Sequence, residues 1–439
     1  MARPQPASPC PLGEDKLASI QRDTFRYFGE ELYPAPENGL IADNTRPGAP
    51  ASIAVVGFAL SAYPVAVERG FLSREEAVRR TLAALRFFWH SPQGPEPDAT
   101  GYQGFYYHFL DMQTGRRVWQ CELSTVDSTF LLAGMLSAAA YFDRDAAEEH
   151  EIRTLADKLY RRADWQWAQN GGALVTHGWR PETGFLPYRW DGYNEALLLY
   201  ALGLGSPTYP LPPESYAAWG STYEWKEVYG REFLYAGPLF IHQFSHLWID
   251  FRGIRDAFLR ARGPDYFENS RRATYVQQEY AVRNPLGFEG YGRYCWGLTA
   301  SDGPGPAVRR IKGVERHFYG YLARGAPYGP DDGTIAPWAA IACLPFAPEI
   351  VLATIHHLHE VYHQARRDSQ FKCSFNPTFP DEQHGSCGWI SPDHYGLNEG
   401  PIVLMIENYW SGLLWRLMQR CPYLVTGLRR AGFQGGWLE

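Results

Sequence analysis

Carboxyl and amide groups gather where apolar helical patterns begin. They are Asp43 in ADNTRPGAPAS, Glu122 and Asp127 in CELSTVDST, Asp191 and Glu195 in WDGYNEA, Asp302 in LTASDGP, Asp331 and Asp332 in PDDGTIAP, and Asn398 and Glu399 in GLNEGPI. Two carboxyl groups held across a cleft can act as general acid and general base. A helix N-terminus lowers a carboxyl pKa and aromatic burial raises it, so a general acid at neutral pH needs burial to win. Glu195 has the most apolar setting, with Trp190 and Tyr193 before it and LLLYAL after it. Capping is the competing account. Ser124 to Asp127 fits a capping box, Asp191 or Gly192 could cap a helix bearing Glu195, and a first-turn acid gains about 0.3–1 kcal/mol from the helix dipole. Several acids at successive starts, beside Trp179, Trp190, Tyr193 and Phe105 to Tyr107, are harder to explain by capping alone.

The elements that must hold these groups follow from hydrophobic periodicity. Apolar helical patterns open near residues 52, 124, 193, 238, 334 and 401, on average about 70 apart. Between them run charged amphipathic stretches from Ser73, Glu148, Tyr266 and Pro348, and DKLASIQRDTFRYFGEEL near the N-terminus has one apolar face. Wholly apolar helices belong inside and amphipathic ones outside, each hairpin burying its apolar face against its neighbours. The pattern predicts an all-α fold, an (α/α)6 toroid with long rim loops, whose inner helices begin on one rim and aim their first residues into a central funnel. The partner of the fourth inner helix, PPESYAAWGSTYEWKEVYG, is the least helical stretch. We expect a flexible segment over 1–14 and a single catalytic domain over 15–439.

Composition narrows the function classes. Lys plus Arg number 41 against 48 Asp plus Glu, a formal charge of -7, and no basic block tracks a phosphate backbone, so nucleic acid is not an expected partner. The 15 Trp and 28 Tyr exceed what a core needs and suit stacking on sugars. Seven scattered cysteines without a CxxC pair give no disulfide framework. The opening MARPQPASPCPLGEDK lacks the apolar core of a signal peptide, and no run is long enough to span a membrane. As written, the chain reads as cytoplasmic, or as one from which a leader has been removed.

GFYYHFLDMQTGRRVWQCELSTVDSTFLLAG, GWRPETGFLPYRWDGYNEALLLYALGLGSP, GPLFIHQFSHLWIDFRGIRD, CWGLTASDGP, DDGTIAPWAA and NEGPIVLMIENYWSGLLW together resemble the glucoamylase-like glycosidases of glycoside hydrolase family 144. The resemblance runs from about Asp43 to Trp415, whereas FKCSFNPTFPDEQHGSCGWISPDHYGLNEG does not align with it. It implies an (α/α)6 fold and an inverting endo-β-1,2-glucanase, with transglycosylation or exo-acting release of sophorose as alternatives on the same fold. It also implies a periplasmic or secreted enzyme if a leader was removed. It places the catalytic acid at Glu195. Glu122, Asp127 and Glu399 compete for the second carboxylate. Asp302 and Asp332 suit sugar hydroxyls, and His108, Trp179, Arg189, Trp190, Tyr193, Gln243, His246 and Trp248 complete an expected subsite lining.

His356, His357, His359 and His363 fall on an amphipathic outer helix with no third ligand block nearby, so no metal is expected, and the chemistry calls for no cofactor. The expected partner is an oligo- or polysaccharide substrate, met by a monomer. A rival reading from another class, a non-catalytic glucan-binding protein, would need the aromatic residues but not Glu195.

Overall fold

The segment Ile53–Glu68 has apolar residues on every side, and all but its last two residues are buried. It packs against Thr125–Tyr141 on one flank and Gly396–Trp410 on the other. The first contact is backbone to backbone. Gly57 and Gly134 face each other, and a Cβ on either would overlap main-chain atoms of the opposite helix. From Thr125–Tyr141 the inner layer continues to the helix Leu197–Gly205. The Leu198 amide there donates to Ser245 Oγ at 3.1 Å. Gln243 Nε2 then donates to the Ala339 carbonyl at 2.6 Å, and the helix around it, Pro337–Ile341, packs on Gly396–Trp410. This computed structural model describes residues 13–29 and 37–439. Most of the segment 1–14 expected to be flexible therefore lies outside the described residues, as does part of DKLASIQRDTFRYFGEEL.

Amphipathic helices cover the inner layer. Glu14–Gly29 lies on Gly396–Trp410, Arg74–His90 on Ile53–Glu68, Ala147–Arg162 on Thr125–Tyr141, Tyr266–Arg283 on the turn Leu239–His242, and Pro348–Val361 on Pro337–Ile341. The helix Pro422–Arg430 covers Leu197–Gly205. The core is one large cluster from Leu17 to Leu438 with two small satellites. Among the described residues no helix is long and apolar enough to cross a membrane.

Three expectations need correction. The fold is mostly helical but not all-α: among the described residues there are six two-stranded sheets and one five-stranded antiparallel sheet. The inner helix expected near Pro238 is instead two short 3-10 turns, Leu239–His242 and Phe244–Leu247. Its polar side chains take partners that a straight helix would not reach: His242 pairs with the Ala236 carbonyl at 3.1 Å and His246 with Ser270 at 3.0 Å. The helix expected from Tyr193 starts only at Leu197, because Gly192 takes a positive φ of 69° and the Asn194 side chain bonds the Ala196 amide. In keeping with its weak helical pattern, the stretch PPESYAAWGSTYEWKEVYG forms only a short helix, Glu214–Gly220, and one strand of a hairpin.

Candidate active site

The five-stranded sheet carries the first half of the site. Phe105–Tyr107 pairs antiparallel with Leu123–Ser124, Tyr107 opposite Leu123, and the His108 amide donates to the Glu122 carbonyl at 2.9 Å. That register sets the two side chains side by side, with His108 Nδ1 2.9 Å from Glu122 Oε1. The chain then turns into Thr125–Tyr141. Ser124 caps it, accepting from the Asp127 amide at 3.2 Å and donating to Asp127 Oδ2. The capping reading of this acid is therefore correct, and incomplete, because Asp127 Oδ2 also stands 3.7 Å from His108 Nε2. Asp43, which receives a bond from Asn44 at 2.9 Å, completes the group within electrostatic reach of both His108 and Asp127.

Electrostatics set the protonation states. Burial works against a charged His108, but Asp127, Glu122 and Asp43 outweigh it and push its pKa up to about 9. The imidazolium in turn holds Glu122 below the ordinary carboxylate value despite burial. Asp43 is raised, by burial first.

Glu195 is half-buried in the turn just ahead of Leu197–Gly205. Its carbonyl accepts from Ser245 at 3.2 Å. Burial, reinforced by the negative charge of Asp127, raises its pKa to about 7. Glu195 is thus raised and Glu122 lowered, a divergence of the kind on which separate acid and base roles rest. Toward the rim, Arg46 joins Asp393 at 2.6 Å and Asp302 at 3.1 Å, and Tyr395 donates to Asp302 at 2.8 Å. The Tyr321 hydroxyl is within electrostatic reach of Asp43, Asp127 and Asp302, although most of the ring is exposed.

Known proteins share this arrangement of the chain. A family model described as Putative glucoamylase matches residues 187–422, more than half of the sequence. The chain belongs to this Glycoamylase family. A solved structure described as a putative glucoamylase from Bacteroides uniformis is 32% identical, with a TM-score of 0.85 over 97% of this chain and 99% of that one. The endo-β-1,2-glucanase from Chitinophaga pinensis, solved with sophorotriose and glucose, is 27% identical, with a TM-score of 0.84 over 97% and 99% of the two chains. An exo β-1,2-glucooligosaccharide sophorohydrolase (non-reducing end) from Parabacteroides distasonis is 29% identical over 97% of this chain. The chain spans 59% of the length of that curated relative. Glu195, Asp302 and Glu399 fall inside the segment matched to the Glycoamylase family, whereas His108, Glu122 and Asp127 precede it.

Several side chains that the sequence assigned to the site are bonded or packed within the protein. Trp248 is fully buried between Phe58 and Phe130, ring centroids 5.7 and 5.8 Å away, and its indole donates to Ser61 at 2.9 Å. Gln243 and His246 are likewise buried, bonded to Ala339 and Ser270. Asp332 is sealed against Arg324. Arg189 donates to the carbonyls of Gln169 and Leu174, both at 2.6 Å, and so fixes a loop. Tyr193 stacks on Tyr266 and turns its hydroxyl toward buried Ser270 and Asn269. Trp190 is buried under His177, 3.8 Å between ring centroids, with its indole on Thr125. Glu399 is 1% exposed and paired with His394 at 3.1 Å, outside the His108 cluster. Trp179 remains half-buried on the sheet, opposite Leu123. Of the aromatic and polar lining, His108 and Asp302 lie where the acids meet. The sequence sets Asp43 among the acids at helix starts without assigning it a site role; nothing local distinguishes Arg46 and Tyr395 from ordinary loop residues.

Trp248→Phe tests its reassignment. The variant should lose about 1–2 kcal/mol of stability in urea unfolding through the lost indole bond and the smaller ring, with an unchanged KM for any sugar substrate. A raised KM in a fully stable variant would return Trp248 to the site.

Proposed function

We propose that the chain is a glycoside hydrolase acting on β-1,2-linked glucans, with Glu195 as general acid and Asp127 as the second carboxylate. The observation that carries this reading is Glu195 held at a pKa of about 7 by burial and by the charge on Asp127. The names of the relatives from Chitinophaga pinensis and Parabacteroides distasonis supply the linkage. The packing of apolar segments inside amphipathic helices supports an (α/α)6 toroid forming one catalytic domain.

In the proposed course Glu195 delivers its proton to the glycosidic oxygen as the bond to the anomeric carbon breaks. Asp127 takes a proton from the water that attacks the oxocarbenium-like centre from the opposite face, so the product anomer is inverted. His108, cationic at neutral pH, keeps Glu122 ionised and offsets the crowding of negative charge. Asp302, aimed by Arg46 and Tyr395, accepts bonds from sugar hydroxyls. Cleavage falls within the glucan chain.

Purified protein incubated with β-1,2-, β-1,3-, β-1,4- and β-1,6-glucans should release reducing ends from the first alone. Activity confined to another linkage would overturn the substrate assignment. Stepwise release of sophorose would replace internal cleavage, and retention of configuration, read by NMR of the nascent product, would replace inversion. The pH profile adds an independent check. Glu195 must be protonated to act, so kcat/KM should fall as pH rises through about 7. A profile flat to pH 9 would remove Glu195 from the acid role.

A further inference from the structure

We infer that a groove beside the acid cluster, flanked by Trp119, is an outlying subsite for a β-linked glucan chain that extends beyond the acids. Trp119 is 70% exposed, whereas every other tryptophan is buried or half-buried. Its backbone is left-handed, φ 57°, as is that of Gln120, φ 52°, a conformation that bulky residues rarely adopt. The groove has a volume of about 600 Å³, in the range of small-molecule sites. Its wall of Pro47, Ala49 and Pro50 is stiff and offers little side-chain bulk, while Gln113 and Arg46 supply donors for hydroxyl groups.

Continuity with the acid cluster points to the occupant. Arg46 lines the groove and also bonds Asp302 and Asp393 at the rim of the acid cluster. On the other side, Trp119 lies 5.3 Å from the ring of Phe109, which stacks on His108 at 4.0 Å. A chain leaving the cluster past His108 therefore meets an aromatic face and then an arginine, the combination that holds an uncharged, hydroxyl-rich ring.

The inference rests on the hydrolase reading above, and two measurements keep them apart. Trp119→Ala should lower kcat/KM on polymeric β-1,2-glucan about 5–10-fold, the worth of one aromatic contact, and lower it less than about twofold on the shortest oligosaccharide cleaved. Trp119→Phe should retain most of the polymer rate. Equal losses on both substrates, or none on the polymer, would overturn the subsite. Binding is read without turnover by electrophoresis through gels containing β-1,2-glucan. Glu195→Gln protein should be retarded, and Glu195→Gln/Trp119→Ala protein should run markedly faster. Should the wild type cleave nothing, this arm still decides: equal retardation of the two proteins, or no retardation of either, ends the proposal, whereas a difference between them sustains it.

Discussion

Glu195→Gln should lose at least about 10²–10⁴-fold in kcat, the usual contribution of general acid catalysis, while the protein stays folded. Glutamine keeps the shape and the hydrogen bonds of a neutral carboxyl group but has no proton to give. The stability side of the experiment has a definite sign. The folded-state pKa, about 7, lies above the ordinary value of 4.5, so the contribution of Glu195 to stability is full below pH 4.5 and is lost as pH rises through 7. At pH 8 the wild type buries a charge that the variant lacks, and Glu195→Gln should melt at the same temperature or higher. A stable variant with wild-type turnover would sink the acid assignment and move the role to Glu122 or Asp127. A variant that loses turnover and yet still binds glucan would exclude the non-catalytic binding protein as the parent's function.

Arg324→Met should cost about 3–5 kcal/mol of unfolding free energy, because it strands a buried carboxylate. Both side chains of the Arg324–Asp332 pair are fully buried, joined at 2.7 and 2.8 Å. Asp332 also accepts from the Tyr319 and Thr334 amides, and Arg324 donates to the carbonyls of Ser301 and Gly320. The pair thus ties together the loops carrying Asp302 and Tyr321. Burial works against the charge on Asp332, but Arg324 outweighs it and holds the pKa below the ordinary carboxylate value. The contribution is therefore present above that ordinary value and is lost as pH falls through the lower, folded-state one. Urea unfolding of Arg324→Met, alone and combined with Asp332→Asn, measures the effect, and the double variant should recover part of the loss. A loss below about 1 kcal/mol in the single variant would contradict this structural role and restore Asp332 as a sugar-binding candidate.

The sequence by itself determined the layers and the acid-bearing starts. Ile53–Glu68 and Thr125–Tyr141 are apolar on all sides, and a helix of that kind has no stable place except inside others, whatever the rest of the chain does. Ser124 before Asp127 is likewise a local signal, because a cap and its partner lie within one turn. Only the tertiary structure decided which acids meet. Glu122, Asp127 and Glu399 looked equivalent in sequence. A strand register puts Glu122 against His108 Nδ1, the following turn brings Asp127 to Nε2 of the same ring, and Glu399 is shut away with His394. Trp190, Tyr193, Gln243, His246 and Trp248 have the right side chains for sugars and point into the protein. Their direction depends on where Leu197–Gly205 begins and on two 3-10 turns in place of a helix, and those were set by long-range bonds from Ser245, Ser270 and Ala339. Periodicity reports how much of an element is buried. It does not report which of two apolar neighbours a given residue faces, because that is chosen by partners distant in the chain.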